Sequence, residues 1–540
     1  MARVTSALSW LNFRRARPLA PPLFLSLPAL VVVAAVLLPV VYLLIRTVDA
    51  GGDAWDVLFR IQTFRVFLRS ALLAIAVTGT SVLLAVPLAW LTVRSDLPGR
   101  RLWSVLTVLP LVVPSYVGGF ALVSALGPRG LLQQALEGPF GVDRLPEIYG
   151  FPGAWLALTL FSFPYVLLST RAAFWGLDPA QEEASRSLGR GPLSTFVRVT
   201  LPHLKPAIAA GALLVALYAL SDFGAVSLLQ FESFTRVIFL QYEGSFDRTL
   251  ASVLSLVLVA FAVVLLFVEQ RARGVGRYHS VGAGAQRRLS TVRLGRWRWP
   301  ALAFCGLVVL VALGLPASVL LYWLAEGLSR GVGVGVTGSA ITGALYASAI
   351  AAGVAVVAAV PVTVLAVRYS GRVTQLIEGS VYLGFALPGI VIALALVFFG
   401  ANFVTPIYQT LFLLVLAYVV LFLPMAVGAA RSSLLQTNPS LEEAARSLGR
   451  SQLSVLFTIT LPLLRPGLLI GGALVFLTAM KELPATLILG PTGFRTLATE
   501  MWSASSEGFF AQAAVPGLIL VAVSVVPVAM LLMRERHAGA

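Results

Sequence analysis

Long apolar runs recur down this chain and leave few folds open to it. A helix needs ~20 apolar residues to cross the ~30 Å hydrocarbon core of a bilayer. About twelve stretches meet that length: 23–46, 68–93, 102–126, 150–174, 204–230, 249–269, 300–324, 339–367, 379–400, 408–430, 466–490 and 510–533. Only helices and closed barrels satisfy their own backbone polar groups in lipid, and runs of this length are helical. The expected fold is an all-α polytopic membrane protein of about twelve transmembrane helices. Charged residues make up 11% of the chain, against ~25% in soluble domains, so little solvated surface is left. The first run follows Arg14, Arg15 and Arg17, as in a secretory signal. It exceeds the ~7–15-residue core of such signals and no A-x-A site follows, so it reads as an uncleaved span.

The net charge of +16 needs an explanation other than nucleic acid, because no charged surface is large enough to hold one. Of the 39 Lys and Arg, 28 fall in seven stretches: 1–22, 94–101, 171–206, 270–299, 368–378, 431–465 and beyond 533. All seven share one side if the spans alternate. Short cytoplasmic loops carry the basic excess, so both termini read as cytoplasmic. Loops such as 127–147, 231–248 and 491–508 then face outward. One Cys and three His exclude a disulfide framework and any multi-thiolate or histidine-rich metal centre.

The chain repeats itself. Pro179-Ala-Gln-Glu-Glu-Ala-Ser-Arg-Ser-Leu-Gly189 recurs as Pro439-Ser-Leu-Glu-Glu-Ala-Ala-Arg-Ser-Leu-Gly449, 260 residues later. Residues 179–211 and 439–471 agree at 17 of 33 positions. An offset near half the chain carries six spans onto six spans in the same orientation, a parallel duplication with an axis along the membrane normal and a path between the halves. The halves are 1–269 and 300–540. The basic stretch 270–299, with Arg271, Arg273, Arg277, Arg287, Arg288, Arg293, Arg296 and Arg298, joins them as a solvated cytoplasmic linker; lipid-headgroup binding is the alternative reading.

Each repeated stretch opens a cytoplasmic loop between the fourth and fifth spans of its half. Asp178-Pro179 and Asn438-Pro439 read as N-cap and first helical position, with Gln181 placed to complete a capping box. Glu182, Glu183, Glu442 and Glu443 fall in the first turns, where the helix dipole favours acids. Gly189 and Gly449 end the helices in a left-handed residue. The prediction is a short, stiff helix of about three turns in each loop, with small residues (Ala184, Ser185; Ala444, Ala445) permitting close approach. Such a helix suits a groove on a soluble partner; an amphipathic helix lying on headgroups is the other reading, and the acids argue against it.

These residues carry a resemblance. Glu183-Ala184-Ser185-x3-Gly189-x9-Val199-x-Leu201-Pro202 and Glu443-Ala444-Ala445-x3-Gly449-x9-Ile459-x-Leu461-Pro462 resemble the EAA loop of ATP-binding-cassette importer permeases, departing from its pattern only mildly at Ser185 and Val199. The resemblance implies that residues 179–189 and 439–449, with Leu201, Pro202, Leu461 and Pro462, dock on two copies of a separate ATPase. It also implies an external substrate-binding protein, periplasmic or lipoprotein, that recognises the cargo.

The chain has no phosphate-cradling G-x-x-x-x-G-K-[ST] loop. Its two lysines, Lys205 and Lys481, sit in Leu-Lys-Pro and Met-Lys-Glu contexts. The chain therefore reads as no enzyme and as binding no cofactor, with ATP and Mg used by the partner. A secondary transporter would instead rely on intramembrane acids, and few exist. Asp222 and Glu482 stand 260 residues apart at one depth. Both read as facing the substrate pathway, or, with Lys481 beside Glu482, as members of a structural ion pair. Pro114, Pro388 and Gly389 interrupt the third and ninth spans, where unwound helix is tolerated if it lines a cavity. Lys481-Glu-Leu-Pro-Ala-Thr486 and Leu387-Pro-Gly-Ile-Val391 are similar to segments of ferric-iron importer permeases, and iron(III) prefers oxygen ligands. Thiamine, polyamines and oxyanions are the alternative cargoes that the EAA loop admits. His203 has no counterpart in the second copy and reads as an ordinary interfacial residue.

Overall fold

A computed structural model describes residues 21–49, 51–244, 249–273, 291–333, 335–369 and 371–538. Arg14, Arg15 and Arg17, the linker residues Arg277, Arg287 and Arg288, and 245–248 of an expected external loop lie outside the described residues. Secondary structure among the described residues is helical, apart from one isolated bridge between Ser95 and Val292.

Nine helical stretches among the described residues are long and apolar enough to cross a bilayer. They overlap nine of the twelve expected runs, although those expected at 204–230 and 466–490 start earlier and stop at Ser221 and Ala479; the other three are helical but not continuous spans of full length. The third run is two pieces, Arg100–Val112 and Ser115–Phe140, meeting at 94°. Pro114 at the corner has no N–H to donate, and its ring holds Val113 extended (φ −79°, ψ 115°). The ninth run stops at Ala386 and restarts at Gly389, with Pro388 extended between them (φ −61°, ψ 141°). In the last helix, Phe510–Ala538, the apolar part is the shorter Phe510–Val526.

The duplication extends well beyond the loops. Phe151–Trp175 and Leu411–Leu435 are both 25 residues long and stand 260 apart. Ile61–Arg94 and Gly338–Arg368 end 274 apart, and Pro114 and Pro388 keep that second offset. Internal prolines pair likewise: Pro87 with Pro361, Pro164 with Pro424, Pro206 with Pro466. The change of offset has a local cause. The first half inserts the helix Leu131–Phe140 between Leu126 and Phe151, where the second half has only the short connection from Phe403 to Leu411.

The chain groups into two compact units, each with its own packing. The larger comprises the described residues of Pro39–Ser348, Ala386–Ala417 and Leu477–Ala540. Within it Ile61–Arg94, Phe151–Trp175 and Leu201–Ser221 pack on one another. A Cβ at Gly211 would lie 2.6 Å from the Cα of Val166, so the last two helices touch backbone to backbone, as small residues allow between membrane helices. Leu73, Val77, Ala85 and Leu88 form the inward face of Ile61–Arg94, while Ile75 and Leu83 are 70% and 72% exposed, an apolar stripe suited to lipid. The smaller unit comprises the described residues of Met1–Leu38, Ala349–Phe385 and Tyr418–Phe476. It repeats the device: a Cβ at Gly471 would lie 2.8 Å from the Cα of Ala426.

Candidate functional site: the paired loops and the broken spans

The two loops are built alike. The helices run Pro179–Ser187 and Ser440–Ser447, a little over two turns rather than the expected three, because Leu188 and Leu448 leave helical geometry. The Asp178 carboxylate accepts from the Ala180 N–H at 3.0 Å, and Asn438 Oδ1 accepts from the Ser440 N–H at 3.0 Å. The Gln181 backbone N–H goes to the Asp178 carbonyl, and the expected reciprocal side-chain box does not form. Gly189 and Gly449 take φ of +79° and +82°. The Arg190 N–H then reaches the Ser185 carbonyl and the Arg450 N–H that of Ala445, while the two glycine N–H groups bond the carbonyls of Arg186 and Arg446. This is the doubly bonded left-handed helix stop.

Beyond the stop, both loops pass through a wide π turn, Phe196–Thr200 and Leu456–Thr460, and then Leu-Pro. A proline ring clashes with the carbonyl four residues back; for Pro202 and Pro462 that is Arg198 and Thr458, inside the π turn. The wider turn moves that carbonyl aside, so the chain continues helically through Leu201-Pro202 and Leu461-Pro462.

The four acids separate into two kinds. Glu182 and Glu442 are buried and face inward, while Glu183 and Glu443 are exposed. Glu182 is ion-paired with Arg94, the last residue of Ile61–Arg94, and accepts from the Thr200 hydroxyl at 2.8 Å. Glu442 pairs with Arg368, the last residue of Gly338–Arg368, at 3.2 Å and accepts from Thr460 at 3.1 Å. Arg368 also donates to the Thr437 hydroxyl at 2.8 Å. Each short helix is thus fastened to the end of one span and to the π turn entering the next. Ser185 adds a hydroxyl contact to Thr195 at 3.1 Å; Ala445 fills that position in the second loop.

The opposite face is open. Ala184 and Ala444 lie beside the exposed acids, and Leu188, Leu193, Leu448 and Leu453 are 78%, 77%, 83% and 48% exposed. Each loop therefore presents an apolar patch with one carboxylate, backed by a buried ionic anchor.

The intramembrane acids also share one geometry. After Ser221 the helix breaks, and Asp222 Oδ1 accepts from the N–H groups of Ala225 (3.0 Å) and Val226 (3.3 Å), starting the short helix Gly224–Leu228. After Ala479 the equivalent break occurs, and Glu482 Oε1 accepts from the Ala485 N–H at 3.2 Å, starting Pro484–Leu489. Among the described residues neither acid is ion-paired, so the pairing of Glu482 with Lys481 or a neighbouring cation is not formed. Tyr116, just past the Pro114 corner, packs against Gly224 and donates to the Lys481 carbonyl at 3.3 Å. A Cβ at Gly389 would meet Glu482 Oε1 at 2.7 Å. Pro114 and Gly389 thus open helices that abut the two acid-bearing breaks. His203 Nδ1 lies 2.6 Å from the Val199 carbonyl, one turn back in the π turn that leads into its helix.

Sequence reading located the loops, the glycine stops, the acids and the breaks at Pro114 and Pro388, but ran the spans 204–230 and 466–490 through the breaks after Ser221 and Ala479. It missed Arg94, Arg368, Thr200 and Thr460, and with them the burial of Glu182 and Glu442. The 274-residue pairing of Arg94 with Arg368 was the available signal, hidden by the change of offset.

The profile of the binding-protein-dependent transport system inner membrane component matches residues 81–272 and again 355–536. An Fe(3+)-transport system permease protein of Haemophilus influenzae is 34% identical over 519 residues, 95% of this chain and 99% of its own. A ferric transport system permease protein of Actinobacillus pleuropneumoniae is 27% identical over 78% of this chain and 64% of its own. A molybdenum transport system permease protein of Escherichia coli is 35% identical over 161 residues, 29% of this chain and 69% of its own.

Proposed function

The chain belongs to the binding-protein-dependent transport system inner membrane components, and from that premise we propose that it is the translocation subunit of an ATP-driven importer of ferric iron. It is a multi-pass inner-membrane permease with both permease repeats on one polypeptide. The observation that carries iron as the cargo is the likeness to a ferric permease across both halves, 34% over 95% of the chain.

In this reading ATP is hydrolysed by two copies of a separate ATPase, one at each loop, and cargo arrives on an external binding protein. Both termini are cytoplasmic, and residues 270–299 link the repeats on that side. The exposed faces around Glu183, Ala184 and Leu188, and around Glu443, Ala444 and Leu448, enter the ATPase grooves. The buried anchors Arg94–Glu182 and Arg368–Glu442 make each short helix move with its spans, so closure of the ATPases rocks the halves into alternating access. Asp222 and Glu482 lie where the spans unwind along the path. Carboxylate oxygens suit a hard trivalent cation and repel an oxyanion.

Proteoliposomes holding the chain, its ATPase and an iron-loaded binding protein test the reading. Iron-loaded protein is expected to stimulate hydrolysis and uptake. Stimulation by a thiamine-, polyamine- or molybdate-loaded protein in its place overturns the cargo, and uptake driven by an ion gradient without ATP overturns the class.

Two substitutions probe the parts separately. Gly449→Ala places a side chain in left-handed backbone at a cost of ~1 kcal/mol, with nothing within 4 Å for it to strike. It and Glu443→Gln are expected to leave membrane protein levels unchanged while ATP hydrolysis proceeds without proportionate uptake; normal uptake by both counts against docking through this loop. Gly389→Ala pushes on the tip of Glu482, a side chain that can yield, rather than on backbone. Normal protein levels with uptake reduced several-fold are expected; unchanged uptake removes the Gly389–Glu482 contact from the pathway.

A further inference from the structure

Two segments far apart in sequence are joined at one edge of the larger unit. The Val292 N–H donates to the Arg94 carbonyl at 2.7 Å, and the Asp96 N–H donates to the Val292 carbonyl at 3.1 Å. Asp96 Oδ1 accepts from the Leu294 N–H at 2.8 Å. These three bonds fix the segment 291–294 against the turn after Ile61–Arg94. On one side of the seam the helix Arg100–Leu106 begins; on the other, the turn Gly295–Trp297 leads into Arg298–Val309. The two helices run close, since a Cβ at Gly306 would sit 3.8 Å from the Trp103 ring.

Five arginines collect there, Arg100, Arg101, Arg293, Arg296 and Arg298, all exposed. None of the five is ion-paired among the described residues, and Asp96 is occupied by the Leu294 N–H. Beside them Trp297 and Trp299 are 66% and 65% exposed, the Arg298 guanidinium lying 5.2 Å from the Trp299 ring centre. Further along the same stretch Leu307 and Leu310 are 61% and 64% exposed. Gly295–Ser329, long and apolar enough to cross a membrane, and Arg100–Val112, the first arm of the bent pair, both begin at this edge. Guanidinium groups free of ion pairs alternate with indole rings here and apolar side chains follow, as suits a leaflet edge where phosphate and glycerol overlie acyl chain.

We propose that this edge is a binding site for the headgroup of an anionic phospholipid, held by Arg293, Arg296 and Arg298 with Trp297 and Trp299 at the glycerol level. Planar guanidinium groups engage phosphate in bidentate fashion, and basic residues next to a span end attract anionic lipid. The hydrogen-bonded seam matters because it orders the arginines before a lipid arrives. The proposal holds whichever cargo is carried and whichever way the termini face.

The test uses the full-length chain in nanodiscs of equal phosphatidylglycerol and phosphatidylcholine, followed by detergent extraction and quantification of the co-purifying lipid. Wild type is expected to retain phosphatidylglycerol several-fold over phosphatidylcholine, even with excess glycerol phosphate, which separates a seated lipid from a site for free phosphate. Arg293→Gln/Arg296→Gln/Arg298→Gln is expected to lose that preference, while the charge-matched control Arg129→Gln/Arg144→Gln/Arg330→Gln keeps it. Brominated phosphatidylglycerol is expected to quench wild-type tryptophan fluorescence more than its brominated phosphatidylcholine counterpart, and Trp297→Phe/Trp299→Phe to abolish the difference. Equal retention by the two triple variants, displacement by glycerol phosphate, or undiminished differential quenching in the tryptophan variant overturns the site.

Discussion

Arg94→Met is expected to abolish ATP-driven uptake while the protein remains in the membrane. The substitution keeps the apolar stem of the side chain and removes its charge, leaving the Glu182 carboxylate buried with the Thr200 hydroxyl and, at 3.9 Å, Arg186. Removing one partner of a buried ion pair costs ~3–5 kcal/mol, chiefly because the other charge is stranded. Here the cost falls on one short helix rather than on the spans, so the helix should detach from the end of Ile61–Arg94 and not move with it. Arg368→Met should do the same to the second loop through Glu442. Limited proteolysis supplies the structural readout, with cleavage between residues 179 and 200 accelerated in the first variant and between 440 and 460 in the second. Replacing both partners, Arg94→Met with Glu182→Gln, removes the stranded charge and should recover part of the protease resistance. Wild-type proteolysis and uptake in both single variants would dismiss the anchors as dispensable.

Gly211→Leu is expected to yield almost no folded protein, and Gly471→Leu the same. At each position the first atom of a side chain would collide with backbone, Val166 Cα at 2.6 Å and Ala426 Cα at 2.8 Å, so no rotamer relieves the clash. Overpacking costs ~1–3 kcal/mol even where side chains can adjust. Here a helix must move, in a setting where close packing is a main source of association. Detergent-solubilised yield and monodispersity by size-exclusion chromatography measure the effect. Gly353→Leu, which meets nothing within 4 Å, is the control and should behave as wild type. Normal yield from Gly211→Leu would mean that the two helices do not approach as described.

Much of this protein is legible in its sequence because each signal is local. A span is ~20 apolar residues in a row, and the loops announce themselves through Asp178-Pro179 and Asn438-Pro439 at one end and Gly189 and Gly449 at the other. Pro114 and Pro388 mark breaks because the missing N–H is a property of the residue itself. The acids Asp222 and Glu482 could be paired by counting, though their work in starting Gly224–Leu228 and Pro484–Leu489 could not be read from it.

What the sequence hid was long-range. Glu182 and Glu183 are adjacent and chemically identical, yet one is buried against Arg94 and the other faces outward, a difference set by the direction in which the short helix lies on its neighbours. The same holds for the segment 291–294, whose residues carry no strand signal and are placed by pairing with the turn after Arg94. By itself the sequence determined the solvent, the duplication, the caps and glycine stops of the two loop helices, and the breaks at Pro114 and Pro388, since these depend on side chains within a turn or two. Only the tertiary structure decided which charges are anchors and which are surface, because burial is a property of what packs against a residue, and here those partners lie 74 to 198 residues away.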